Sequence, residues 1–193
     1  MRKLLVTTAL MLILSLGMPL RAEVFEGKVY PANNRDYRNL LLPRLREAKK
    51  SVYMIMFLAS YYPDYKETSP TNLFLEELIK AHARGVKVEV ILDQSDSNYD
   101  SHSATENFRT ALYLSGNGIT TYFDSPEKTT HAKLIVIDGK TVVIGSANWS
   151  YSAMSRNNET TVIIESPELA AYYTGYFEDL KKSCGSAVHP TDR

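Results

Sequence analysis

Cysteine is nearly missing from this chain: among 193 residues, Cys184 stands alone. A single thiol cannot close an intramolecular bridge, which excludes a disulfide-built scaffold. It leaves a free thiol, or an intermolecular disulfide in an oxidising compartment. Cationic excess is missing too, since 22 Lys and Arg stand against 22 Asp and Glu. A protein that tracks nucleic acid by bulk charge is basic, so affinity for a polyanion must here come from a local groove. The sequence also has no internal repeat, low-complexity tract or linker to a second domain. What is there, 44% hydrophobic with 9 Gly and 8 Pro, is ordinary globular sequence, long enough for one domain with a substantial core.

The first residues differ from the rest. Arg2 and Lys3 precede an apolar run from Leu4 to Leu20, interrupted by small polar residues, Gly17 and Pro19, and followed by Ala22. A basic flank, a short apolar stretch and a small residue read as a secretory signal peptide over residues 1–22, and hence as export to the periplasm or medium. Leu20 sits where a smaller residue is preferred, so an uncleaved membrane anchor is the alternative. Removing residues 1–22 takes away Arg2, Lys3 and Arg21 and no acid, leaving 19 basic and 22 acidic side chains, a net charge of −3.

From residue 23 onward, strand-like and helix-like segments alternate. Val24–Val29 reads as a short strand, and Tyr37–Ala48 has Leu40, Leu41, Leu45 and Ala48 at helical spacing. Ser51–Ala59 is an apolar run of strand length. Asn72–Arg84 is an amphipathic helix with the stripe Leu75, Leu78, Ile79 and His82, stopped by Gly85. Val86–Leu92 follows as a buried strand. The polar segment Asp93–Asn107 then leads to a helix around Phe108–Leu114 and a strand at Ile119–Phe123. Leu134–Ile137, apolar on both faces, predicts a central strand. Asp138-Gly139-Lys140 predicts a turn back into Thr141–Ile144. A strand over Thr160–Glu165 and a helix over Pro167–Lys182 complete the chain. The pattern predicts a single α/β layered domain over residues 23–184, a central mixed β-sheet flanked by helices, with residues 185–193 as a polar tail.

The chemistry-bearing residues lie in THAKLIVIDGKTVVIGSANWS (Thr130–Ser150). His131 and Lys133 are two apart at a strand start, so their side chains leave one face. Gly145-Ser146-Ala147-Asn148 follows the returning strand. An imidazole, an ammonium and a carboxamide on neighbouring strand ends suit an anionic phosphoryl group. Lys133 supplies point charge, Asn148 directional donors, and the imidazole a nucleophile near neutral pH. Each residue alone reads as structural, because isolated short motifs are weak evidence; their spacing together does not. Asp138, five residues beyond Lys133 and of opposite parity, closes the motif. It is carried with the catalytic set, but its position fits bracing the turn or pairing with a cation better than touching phosphate.

His131-x-Lys133-x4-Asp138 followed by Gly145-Ser146-x-Asn148 resembles the signature of the phospholipase D superfamily. The similarity is greatest to its small single-motif members, the bacterial secreted endonucleases and the mitochondrial cardiolipin hydrolase type. The resemblance implies a phospholipase D-like fold and a phosphohistidine formed on His131. It implies that Lys133, Ser146 and Asn148 bind phosphate, and that Glu159, in Asn157-Asn158-Glu159, accepts a hydrogen bond from the other imidazole nitrogen. No cofactor or metal is implied. Larger members carry two such motifs, whereas this chain has one His-x-Lys. His82 reads as a core histidine, His102 as a loop residue and His189 as part of the tail. The resemblance therefore implies a homodimer with a shared active site.

Metal catalysis is the rival chemistry. Asp93, Asp96 and Asp100 are spaced loosely like calcium ligands, but the glycine and glutamate of a calcium loop do not follow in register, and a solvated acidic loop is the better reading. The substrate class stays open between nucleic acid and phospholipid, the latter with membrane association through the N-terminus. The aromatic loop Tyr61-Tyr62-Pro63-Asp64-Tyr65 fits base stacking, a lipid interface or plain packing. A non-catalytic phosphate-binding module is the alternative of another class, and it would show a lost catalytic residue.

Overall fold

The computed structural model describes residues 23–65, 68–94 and 97–192, with side chains described from residue 102 onward in the last stretch. The expected leader, residues 1–22, lies outside them. Seven strands form one mixed sheet: β1 (Lys28–Pro31), β2 (Ser51–Met56), β3 (Lys87–Leu92), β4 (Thr120–Phe123), β5 (Lys133–Ile137), β6 (Thr141–Gly145) and β7 (Thr161–Glu165), in the order β1-β7-β6-β5-β2-β3-β4. The helices are α1 (Asp36–Glu47), α2 (Pro70–Ala83), α3 (Ser97–Gly116), α4 (Tyr151–Ser155) and α5 (Pro167–Lys181).

Connection length sets strand direction. β2, β3 and β4 run parallel because whole helices, α2 and α3, carry the chain back between them. β5 is antiparallel to β2, and the tight turn at Asp138-Gly139 returns β6 antiparallel to β5. Both turn residues have positive φ, 57° and 61°, which Gly adopts freely and Asp tolerates better than most side chains.

β5 is central, and side-chain alternation sends its residues into two cores. Leu134 and Val136 pack with Ile55, Ile91, Ala170 and Phe177 under α5. Ile135 and Ile137 join Met54, Val90, Leu41, Leu45, Phe74 and Leu78 under α1 and α2. A strand covered on both faces reads as a continuous apolar run, as the sequence predicted.

Two stretches differ from expectation. Residues 23–27 form no strand and Val24 is 90% exposed; pairing with β7 begins only at Lys28. The polar segment after Asp93 is mostly helix, so His102 lies exposed on α3 rather than in a loop. Apolar periodicity fails there because α3 buries polar side chains, Ser103, Glu106, Asn107 and Thr110. Asn107 Nδ2 donates to the carbonyls of Phe57 (2.7 Å) and Asp93 (2.8 Å), and its Oδ1 accepts from Ala59 N (2.9 Å). Thr110 Oγ1 bonds both Ala59 O and Tyr61 N. One helix thus clamps the outgoing ends of β2 and β3. The C-terminal tail also docks: Val188 N donates to Thr121 O (2.8 Å), covering the open edge of β4.

Candidate active site

Topology brings the outgoing ends of β2, β3, β4 and β6 and the incoming ends of β5 and β7 to one rim. His131 lies two residues before β5, and Lys133 is the first residue of the strand. Lys133 faces Met56 across β2, and one step beyond Leu134↔Ile144 it stands beside Gly145 on β6.

Gly145 explains the first letter of Gly-Ser-x-Asn. β6 and β7 approach so closely there that an added Cβ would collide with Thr160 O and stand 2.6 Å from Thr161 Cα. Asn148 is held by its neighbours. Trp149, fully buried, stacks on Phe74 (5.0 Å between centroids) and donates Nε1–H to Tyr37 Oη at 2.9 Å. Trp149 N bonds Leu58 O, and Ser60 N bonds Trp149 O, so the loop is sewn to the chain leaving β2.

Lys133 is only 8% exposed. Its ammonium donates to His131 O at 2.9 Å and lies 4.6 Å from the centroid of the Phe57 ring. Burial pushes its pKa down to about 8, against the pull of Glu159 and Asp93. The His131 imidazole is exposed, tilted against Phe57 with centroids 4.4 Å apart, and has no hydrogen-bond partner among the described residues. Partial burial, then the Lys133 charge, holds its pKa below the ordinary 6.5, which Asp93 partly offsets. The ring is therefore neutral and its lone pair free near pH 7. Asn148 Oδ1 is buried without a partner among the described residues. Such an orphan marks a place where a further donor belongs.

Glu159 and Ser146 form a unit beside this. Ser146 Oγ donates to Glu159 Oε2 and accepts from Thr160 N at 3.0 Å, while Asn157 Nδ2 donates to Glu159 Oε1 at 3.0 Å. The expected bond from Glu159 to the imidazole is absent among the described residues. The hydroxyl and amide take up the carboxylate, whose charge instead bears on Lys133. Ser146, expected on phosphate, has its proton committed to Glu159. Asn33 and Asn34 also fix this segment, accepting from Thr161 N (3.2 Å) and Glu159 N (2.7 Å).

Asp138, carried with the catalytic set, lies apart from the other residues of the motif. It follows β5, at the end opposite to Lys133, and its carboxylate accepts from three successive backbone N–H groups. These are Lys49 N (3.0 Å), Lys50 N (2.7 Å) and Ser51 N (3.1 Å). It ties the α1–β2 junction to the hairpin, and pairs with no cation among the described residues.

Sequence reasoning missed Asn33, Asn34, Phe57 and Asn107, which carry no motif. Their signal would have been polar or aromatic residues flanking each strand at the same rim. Of the aromatic loop, Tyr61 is packing, 8% exposed and stacked on Tyr113 at 3.7 Å. Tyr62 and Tyr65 join Tyr151, three residues after Asn148, in lining an apolar groove of about 390 Å³. Arg156 lies 5.3 Å over the Tyr151 ring. Among the described residues no helix is long and apolar enough to cross a membrane.

A family model described as cardiolipin synthase, phospholipase D-like domain, matches residues 41–181. A phospholipase D of Rickettsia prowazekii is 31% identical over 150 residues, 77% of this chain and 64% of that protein. A mitochondrial cardiolipin hydrolase of Chlamydomonas reinhardtii is 31% identical over 103 residues, 53% of this chain and 43% of that protein. The chain thus spans less than two thirds of the length of either. Among solved structures, Nuc from Salmonella typhimurium, a phospholipase D family member, superposes with a TM-score of 0.70 at 24% identity, covering 85% of this chain and 99% of that one. At that identity the likeness speaks for the fold.

Proposed function

The chain belongs to the phospholipase D-like family, and on that premise we propose that it is a metal-independent phosphodiesterase working through a phosphohistidine on His131. One observation carries the reading: a neutral imidazole, without a hydrogen-bond partner among the described residues, stands beside a buried ammonium on one rim. Lys133 and Asn148 hold the non-bridging oxygens, spreading the charge that develops on them. An imidazole nitrogen bonds to phosphorus as the bond to the leaving oxygen breaks. The leaving oxygen takes a proton from the imidazolium of a second His131. That imidazole then removes a proton from water, whose oxygen displaces the first histidine and completes hydrolysis. Ser146, Asn157 and Glu159 keep a negative charge facing Lys133.

One chain holds one His-x-Lys, so the acid comes from a second copy across a twofold axis, one site shared by two subunits. Activity per subunit then falls on dilution through the dimer dissociation constant, read by sedimentation and assay together. A fully active monomer overturns this arrangement.

For substrate we favour nucleic acid, with the protein acting as an exported endonuclease after loss of residues 1–22. The three-tyrosine groove with Arg156 beside it supports this, because aromatic faces and a cation suit stacked bases on a phosphate backbone. The second reading is hydrolysis of phospholipid head groups, favoured by relatives named phospholipase D and cardiolipin hydrolase and by the −3 charge of residues 23–193. The test is purified protein in EDTA, offered plasmid DNA and cardiolipin vesicles in parallel. Nicked or linear plasmid supports the first reading, and phosphatidate release alone supports the second. Activity lost in EDTA and restored by a divalent cation overturns both.

A further inference from the structure

Two aspartates that the proposed mechanism does not use lie buried on the same rim. Asp93 follows β3 and Asp124 follows β4, 2% and 1% exposed. They come just after the paired residues Leu92 and Phe123, which sets them side by side. Asp93 N bonds Met56 O at 3.3 Å, and Asp124 N bonds Leu92 O at 3.1 Å. Their carboxylates do different things. Asp93 Oδ1 accepts from Thr130 N at 2.7 Å, the backbone of the residue before His131. Asp124 Oδ1 accepts from Gln94 N at 2.8 Å, while its Oδ2, buried, accepts from no donor among the described residues. Two ionised carboxylates cannot stay so close in a buried site, and one shared proton resolves the conflict.

We propose that Asp93 and Asp124 form a carboxylate–carboxylic acid pair in which Asp124 Oδ2 carries the proton and donates it to Asp93. The single remaining charge, on Asp93, then positions the segment bearing His131 and biases its imidazole. This rests on His131 being the nucleophile. Burial, and the neighbouring Asp93, push the Asp124 carboxyl above its ordinary 3.8 against the bonds from Thr130 and Gln94. Asp93 in turn raises both His131 and Lys133. The other groups facing the pair are accounted for. Lys133 faces His131 from β5 and Phe57 from β2, while Glu159 before β7 bears on Lys133. Cys184, at the end of α5, stays a neutral thiol with its pKa pushed up to about 11. Asp93 is a positioning residue in two senses. Its bond to Thr130 places the histidine, and its charge limits how far Lys133 depresses the imidazole.

The test reads the His131 imidazole by NMR titration, its signal identified by its loss in His131→Ala. In Asp93→Asn the amide oxygen can still accept from Thr130 N while the charge is gone. His131 should then titrate lower by about half a pH unit to one unit. In Asp124→Asn the amide replaces a carboxyl already neutral, so His131 should titrate where it does in the unmutated protein. An unmoved His131 in Asp93→Asn overturns the coupling. An equal fall in Asp124→Asn shows that Asp124 was ionised and overturns the pair. Should either variant not fold, carboxyl ¹³C titration of the unmutated protein decides: one aspartate must keep its proton well above 3.8. These titrations need no turnover, so their failure leaves the phosphodiesterase reading intact, and a chain that cleaves nothing still reports on the pair. Where turnover is measured, Asp93→Asn moves both limbs of the kcat/KM profile to lower pH, which a purely structural role would not do.

Discussion

Lys133 and Asp138, five residues apart at opposite ends of β5, are built on opposite logics. At the incoming end, Lys133 is buried with a weakened hold on its proton and His131 has no hydrogen-bond partner among the described residues. At the outgoing end, Asp138 is saturated, its carboxylate filled by the amides of residues 49–51 and its own N–H bonded to Ser51 O at 2.8 Å. One motif, His-x-Lys-x4-Asp, spans both. Its first half is left unsatisfied for a ligand and its second half is spent on architecture. A residue can thus close the motif while its side chain is spent on the backbone of residues 49–51.

The comparison breaks most sharply at His131. His131→Ala should cut kcat by on the order of 10⁴-fold while leaving Tm unchanged, because an exposed ring contributes little core; activity and thermal melts of the same sample check both. Lys133→Met should cost roughly 10²- to 10³-fold in kcat/KM, as loss of a preorganised donor does. It should also raise stability near neutral pH. The folded state releases this proton at about 8 and the unfolded state at 10.5. Between those values the unfolded chain binds more protons, so the stabilising share of Lys133 is lost as pH falls through 8. The urea midpoint of the wild type should climb from pH 8 to 10 relative to that of Lys133→Met, and kcat/KM should fall beyond pH 8 as the ammonium is lost.

At the other end the effects exchange. Asp138→Ala should lose about 2–4 kcal/mol of stability, since three backbone N–H groups lose a charged acceptor, with activity per folded molecule retained. A 10²-fold loss of kcat in folded Asp138→Ala would put Asp138 back among the catalytic groups. Ser146→Ala frees Glu159 and should cost about tenfold in kcat, a single charge-assisted hydrogen bond's worth. The smallest effect belongs to Tyr65→Ala, 63% exposed. It should raise KM several-fold for nucleic acid with kcat steady, on the scale of one stacking contact.

The α/β alternation, the central strand and the hairpin were legible because apolar runs and Gly-containing turns carry local signals. His131, Lys133, Gly145 and Asn148 were legible through their spacing. α3 was not, because Asn107 and Thr110 spend polar groups on strand ends brought near only by the fold. Glu159 was singled out by the sequence, but with the imidazole as its partner. That Ser146 and Asn157 would hold it depends on how β6 and β7 meet, which no local pattern encodes. Asp93 read as part of a solvated acidic loop, yet it is buried, because its engagement with Thr130 N joins residues 37 positions apart.

The Asn107 clamp has a kinetic consequence. It ties the chain at 57–59 to Asp93, while Trp149 is sewn to Leu58 and Glu159 to Asn34. These ties join residues 14 to 125 positions apart, so the rim depends on long-range closure and should form late on the way to the native state. A chain still emerging from a ribosome has the histidine and the lysine but not the cradle around them. Recovery of activity after dilution from denaturant should therefore track the last phase of refolding, read by the fluorescence of Trp149, and no earlier one.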